Sequence, residues 1–199
     1  MPYYNFKPNA MKIFLYSLLL VFSINVLSQE DTRANINPDT PWIKEIIAFP
    51  TPWAPKLNVQ GFEELRFAPG WKNPKSGEFW SLVMSWNIDS QGTVTAETVA
   101  NYLESYYDGL MTPNHWATSF PGPNAVFIET EVSNHYQGKI KLFDGFHTGA
   151  MMTMYVATEV TYCKETARTL LLFRISTQKR EAPIWKELDA ITLLPTICE

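Results

Sequence analysis

The chain has 199 residues, 46% of them hydrophobic and 18% charged, with a formal net charge of −4. That is enough apolar material for one domain with a real core. The acidic balance, without a basic stripe, argues against nucleic acid and against anionic membrane surfaces as partners.

Residues 11–28, MKIFLYSLLLVFSINVLS, read as a secretory signal peptide. Lys12 supplies the positive start, Ile13 to Ile24 the apolar run, and Val26-Leu27-Ser28 the cleavage site. Translation starts at Met1 or Met11. The run is too short, with the wrong flanks, for a stable membrane span. No cysteine lies near Ser28, so a lipid anchor is not expected. The expected location is periplasmic or extracellular. Cleavage after Ser28 removes residues 1–28, with two of the sixteen basic residues, Lys7 and Lys12, and none of the twenty acidic ones. The expected organisation is a signal peptide at 1–28, a polar and Pro-rich leader at 29–60, and one domain at 61–199.

From Gly61 the pattern becomes that of strands. Leu65 and Phe67 share a face in FEELRF, and APG interrupts it. EFWSLVMSWNI then alternates, with Trp80, Leu82, Met84 and Trp86 on one side and Ser81, Val83, Ser85 and Asn87 on the other. In TAETVANYLESYYDGLM, Val99, Tyr102, Leu103, Tyr106 and Leu110 form a stripe at helical period. Thr95 is the N-cap, Glu97 suits the helix dipole, and Pro113 lies beyond the end. Four more strands follow: AVFIETEV, YQGKIKLFDGF, MMTMYVATEVTYC and ARTLLLFRIST. A short last helix, PIWKELDAI, opens with Pro183. The reading is an α+β domain, β-β-α-β-β-β-β-α. About six strands form an antiparallel sheet, with one long helix and a short C-terminal helix packed on it.

The Gly-Trp after the first strand (APGW, Ala68 to Trp71) and the short helix after a final apolar strand resemble the PsbP/Mog1-like α/β sandwich. The resemblance spans roughly residues 60–195 at the level of topology. It implies a non-enzymatic role, since proteins of that fold bind other proteins: photosystem-associated subunits, a small-GTPase partner and exported bacterial proteins. Fold does not fix function, and no functional residue carries across.

Among candidate sites, Trp80 and Trp86 read as core because they alternate with aliphatic residues. Trp71 sits in the PGWKNPKSGE loop, either plugging the core's edge or exposed for binding. Trp71 and Tyr107 are the candidate ligand-binding residues. Trp42, Trp53 and Trp116 lie in other Pro-containing loops. Cys163 and Cys198 are the candidate disulfide, the alternative being two unpaired thiols. His115, His135 and His147 show no metal-ligand spacing. Asp144 and His147 in LFDGFHTG form a possible base and orienter, but no nucleophile accompanies them; Asp144-Gly145 reads as turn chemistry. Glu129 and Glu131 read as a solvated face opposite Ile128 and Val132, and Arg168 and Arg174 read likewise. Met152 and Met154 read as core filler.

No catalytic residue, metal or cofactor is expected. The leading functional reading is an exported non-enzymatic binding protein with a protein or surface-glycan partner. The alternatives are a small-molecule or lipid carrier, its pocket between the long helix and the sheet and lined by Tyr102, Tyr106, Tyr107 and the methionines, or a hydrolase of unrecognised type.

Overall fold

The computed structural model describes residues 33–199, apart from positions 38, 40, 90 and 91. The expected signal peptide and its expected cleavage site at Ser28 lie outside the described residues.

Seven strands form one antiparallel sheet: β1 (Ile43–Phe49), β2 (Gly61–Phe67), β3 (Leu82–Asp89), β4 (Asn124–Glu129), β5 (His135–Phe143), β6 (Met151–Cys163) and β7 (Arg168–Ser176). Among the described residues two α-helices complete the fold, α1 (Ala96–Met111) and α2 (Ile184–Ala190). The spatial order is β1-β2-β3-β7-β6-β5-β4. The chain thus makes a three-strand meander, crosses with α1 to the far edge, and returns through four strands until β7 pairs with β3. Among the described residues, no helix is long and apolar enough to cross a membrane.

One strand more is present than the alternation pattern gives. β1 lies within the stretch assigned to the leader, and pairs with β2 from Ile43↔Phe67 to Phe49↔Gly61. Its apolar period is broken by Lys44 and Glu45, because an edge strand has only part of one face to bury. The loop after it is also part of the domain: Thr51, Ala54, Leu57 and Val59 are all buried. The domain therefore extends upstream of Gly61.

α1 begins at Thr95, whose hydroxyl accepts from the Thr98 N–H at 3.2 Å, satisfying one of the free donors of the first turn. Its buried face is Val99, Leu103, Tyr106, Tyr107 and Met111. This face and the inward residues of the sheet build the larger core: Leu82, Met84, Trp86 and Ile88 of β3, and Leu171, Phe173 and Ile175 of β7. Trp80 belongs to the same core, though not through strand alternation. It precedes β3 in a turn, at φ 49, a left-handed conformation uncommon for a bulky residue.

On the opposite face, α2 and the segment through Ile36 and Trp42 cover Ala68, Val83 and Leu172. The alternate residues of the central strands are consequently buried as well, Ser81 and Ser85 among them. Arg174 is buried here rather than solvated: its guanidinium donates to the Leu188 and Ile191 carbonyls at 2.9 and 3.0 Å and pairs with Glu159. It caps the end of α2, supplying donors to carbonyls the helix cannot satisfy itself. Arg168 is partly exposed and bonds Asn87 and Asp89. On and just after β4, Glu129 and Glu131 are exposed, as the sequence reading has them. The apolar residues set opposite them are not buried: Ile128 is 67% and Val132, beyond the strand, 58% exposed, and Phe127 faces the core instead.

Cys163 and Cys198 form a disulfide, their Cα atoms 5.0 Å apart. It ties the end of β6 to the C-terminal tail. Replacing both with Ala should cost about 3–4 kcal/mol by the loop-closure argument for a 35-residue separation. Urea unfolding of the double variant and the parent measures this; equal stabilities would contradict it.

Candidate functional site

The sheet's β1–β2–β3 end, α1 and three loops enclose a cavity of about 240 Å³. β1 contributes Glu45 and Ile47, β2 Leu65 and Phe67, β3 Leu82, and α1 Tyr106, Tyr107 and Leu110. The loops contribute Trp53, Trp71, Trp80 and Phe146. Exposed Glu45 and Phe146 mark the rim.

Local chemistry explains why these side chains meet. α1 carries Gly109 where the Trp53–Ala54 backbone crosses it; an added Cβ there would sit 2.3 Å from the Trp53 carbonyl oxygen. Only a residue without a side chain permits that approach, which brings the Trp53 ring edge-on to Tyr106 at 5.0 Å between centroids. Trp71 stacks on Phe67 at 4.5 Å and stands edge-on to Trp80 and His147 at 5.7 and 5.3 Å. The Trp80 N–H donates to the Trp71 carbonyl at 3.0 Å, closing the loop that holds both indoles. Offset and edge-on rings at these separations attract one another beyond their area burial.

Behind the Tyr106 hydroxyl lies a buried carboxyl. Glu63 Oε1 accepts from Tyr106 Oη and Oε2 from Trp86 Nε1, both at 3.0 Å. Burial pushes this carboxyl up to about 8, against the two hydrogen bonds, which favour its ionised form; the Glu45 carboxylate adds to the rise. Burial also raises Tyr106 and Tyr107. The contrast with Glu64 is instructive. Glu64 faces the other side, where Arg66 pairs with it at 2.6 Å and the Asn35 and Ile36 N–H groups donate to it. Glu63 has neutral donors only. A second unbalanced polar group is the Trp80 indole, whose Nε1–H is buried without a partner; the Nε2 of His147, its ring 5.5 Å from that indole, is in the same position.

The sequence candidates fall out as follows. Trp71 and Tyr107 both line the cavity, as does Trp53. Trp42 sits in the opposite core, and Trp116 is 80% exposed. Tyr102 and the methionines are absent from the lining. Asp144 is buried, and its carboxylate accepts from the backbone N–H groups of Phe146, His147 and Thr148 and from the Thr148 hydroxyl. It shapes the loop that presents Phe146 and holds the backbone of His147, not its imidazole. Among the described residues, no group of three or more His, Cys, Asp or Glu converges to hold a metal. Sequence reasoning missed Glu45, Ile47 and Glu63. The available signal was two adjacent glutamates inside an otherwise apolar strand, one of which must face the core.

Comparison with protein-family models, curated proteins and solved structures finds no match to this chain.

The raised Glu63 has a consequence for stability. Between its ordinary value of 4.5 and about 8, the folded protein keeps this proton while the unfolded chain has lost it. The stabilisation is complete below 4.5 and is lost as pH rises towards 8, at up to about 1.4 kcal/mol per pH unit. Glu63→Gln should flatten that slope in denaturation measurements from pH 5 to pH 9. An unchanged slope in the variant would contradict the assignment.

Proposed function

We propose that the protein is an exported binding protein that takes a small ligand into the cavity between α1 and the sheet and performs no chemistry on it. The observation that carries this reading is the cavity itself, walled by seven aromatic side chains with unbalanced polar groups behind them. Ligand sites are typically apolar concavities with a few placed polar groups. At about 240 Å³, this one falls just below the roughly 300–1,000 Å³ typical of such sites. It suits a small metabolite rather than a lipid chain.

The hydrolase alternative loses its main support, because the Asp144 carboxylate is occupied by its own loop. The partner-binding reading keeps one ground. Trp116 stands 80% exposed, packed over Gly149 beside the loop that carries Phe146. A protein or glycan partner would meet that residue first.

Filling the cavity tests the reading. Leu110 lines it from the half-buried side of α1, so Leu110→Trp should occupy the space at a cost under about 3 kcal/mol. Fragments from a panel of small neutral and charged compounds should quench the tryptophan fluorescence of the parent and not of the variant. A panel without binders, or binding that survives the substitution, would contradict the proposal.

A further inference from the structure

The chemistry of the lining narrows the ligand class, and the argument rests on the reading of the cavity as a ligand site. Three observations bear on it. First, the ionisable side chains in and directly behind the lining are acids or tyrosines. Glu45 lines it and Glu63 lies behind Tyr106, and the lining contains no Lys, Arg or His. β1–β2 pairing sets Glu45 opposite Leu65 and Ile47 opposite Glu63, so the two carboxyl groups are diagonal neighbours on the cavity side of the sheet. Neither has an ion-pair partner among the described residues, whereas Glu64 on the other face has Arg66. Second, the walls are aromatic. Ring faces carry partial negative charge and attract cations, most strongly where water is excluded. The protein already uses this at the site's edge: the Lys72 ammonium lies 5.2 Å from the Trp71 ring centroid. Third, the Trp80 Nε1–H is a buried donor without an acceptor, a group that costs free energy until something accepts from it.

We infer that the ligand is a small alkylated ammonium cation carrying a neutral oxygen acceptor, of the hydroxyalkyl-trimethylammonium type. Its cationic end lies among the Trp53, Trp71 and Tyr106 rings, balanced by Glu45 and Glu63. Its oxygen accepts from Trp80 Nε1. Among the rings themselves an ammonium with N–H bonds would lack acceptors, Glu45 standing only at the rim; a methylated one needs none. A ligand carrying its own carboxylate would be repelled by Glu45 and would oppose the ionisation of Glu63.

Proton linkage follows. The titratable groups facing Glu63 are Tyr106 and Tyr107 of α1 and Glu45 of β1, while β3 offers the Trp86 indole. Both tyrosines stay neutral through pH 9, since burial raises them. A bound cation favours ionised Glu63, so binding at neutral pH expels its proton. Affinity is then greatest above about 8 and falls by up to tenfold for each pH unit below it.

The test uses choline and 3,3-dimethyl-1-butanol, its uncharged carbon isostere, in calorimetric titrations of the whole protein at pH 6 and pH 9. Choline is expected to bind at least tenfold more tightly than the isostere at pH 9 and at least tenfold more weakly at pH 6 than at pH 9. The isostere should show no pH dependence. Glu63→Gln should abolish the pH dependence for choline, and exposed Glu45→Gln, which leaves the core untouched, should weaken choline several-fold without affecting the isostere. Equal binding of the two compounds would overturn the inference and leave the cavity reading standing. So would binding of other fragments with no response to choline. If neither compound nor any fragment binds, the cavity reading falls and the inference with it.

Discussion

Three elements meet at one carboxyl group. Glu63 of β2 accepts from the Trp86 indole of β3 and from the Tyr106 hydroxyl of α1, so strand, neighbouring strand and covering helix share a single hydrogen-bonded node. A buried polar group is costly unless its partners are in place. Each of the three side chains is therefore held where the others need it. Trp86 packs on Phe49, Phe173 and Tyr106, with ring centroids 5.2 to 5.7 Å apart. Tyr106 in turn meets Trp53 and Tyr107. The aromatic wall of the cavity extends outward from this node.

The same strand shows how differently two adjacent glutamates can be treated. Glu64 is fully compensated: Arg66 is beside it, and two backbone N–H groups from the segment before β1 donate to it. That is a structural tie between the sheet and the chain that crosses its outer face. Glu63 lacks a countercharge, and the fold accommodates it by keeping its proton. Perturbed carboxyl groups beside a cavity are associated with function, and here the cavity is lined from the elements that the node fixes.

Much of the architecture was legible from residue spacing. The helical stripe of Val99, Leu103 and Tyr106 and the alternation of Leu82, Met84 and Trp86 both correspond to what packs in the core. Less was legible where tertiary context decides. β1 is an edge strand whose charged residues interrupt its pattern, so WIKEIIAF looked like leader. By spacing Trp80 continues the β3 alternation, but it reaches the same core from a turn with positive φ. Arg174 looked solvated because nothing in the strand reveals that a helix end will sit above it. Of the cavity lining, Trp71 is visible as a loop aromatic and Tyr107 as a helix residue facing a pocket against the sheet, whereas Glu63 is visible only as an oddity. The sequence does not reveal which of two neighbouring glutamates gains an arginine.

The account turns on the state of that one carboxyl. Carbon-13 NMR of the Glu63 side-chain carboxyl, titrated from pH 4 to pH 10 in the free protein, reports it directly. The expected midpoint is near 8, with the Trp86 indole N–H resonance shifting over the same range because it donates to the titrating group. A midpoint near the ordinary glutamate value of 4.5 would mean that Glu63 is compensated or solvated in solution. That result would contradict the picture of an unbalanced acid behind an aromatic cavity.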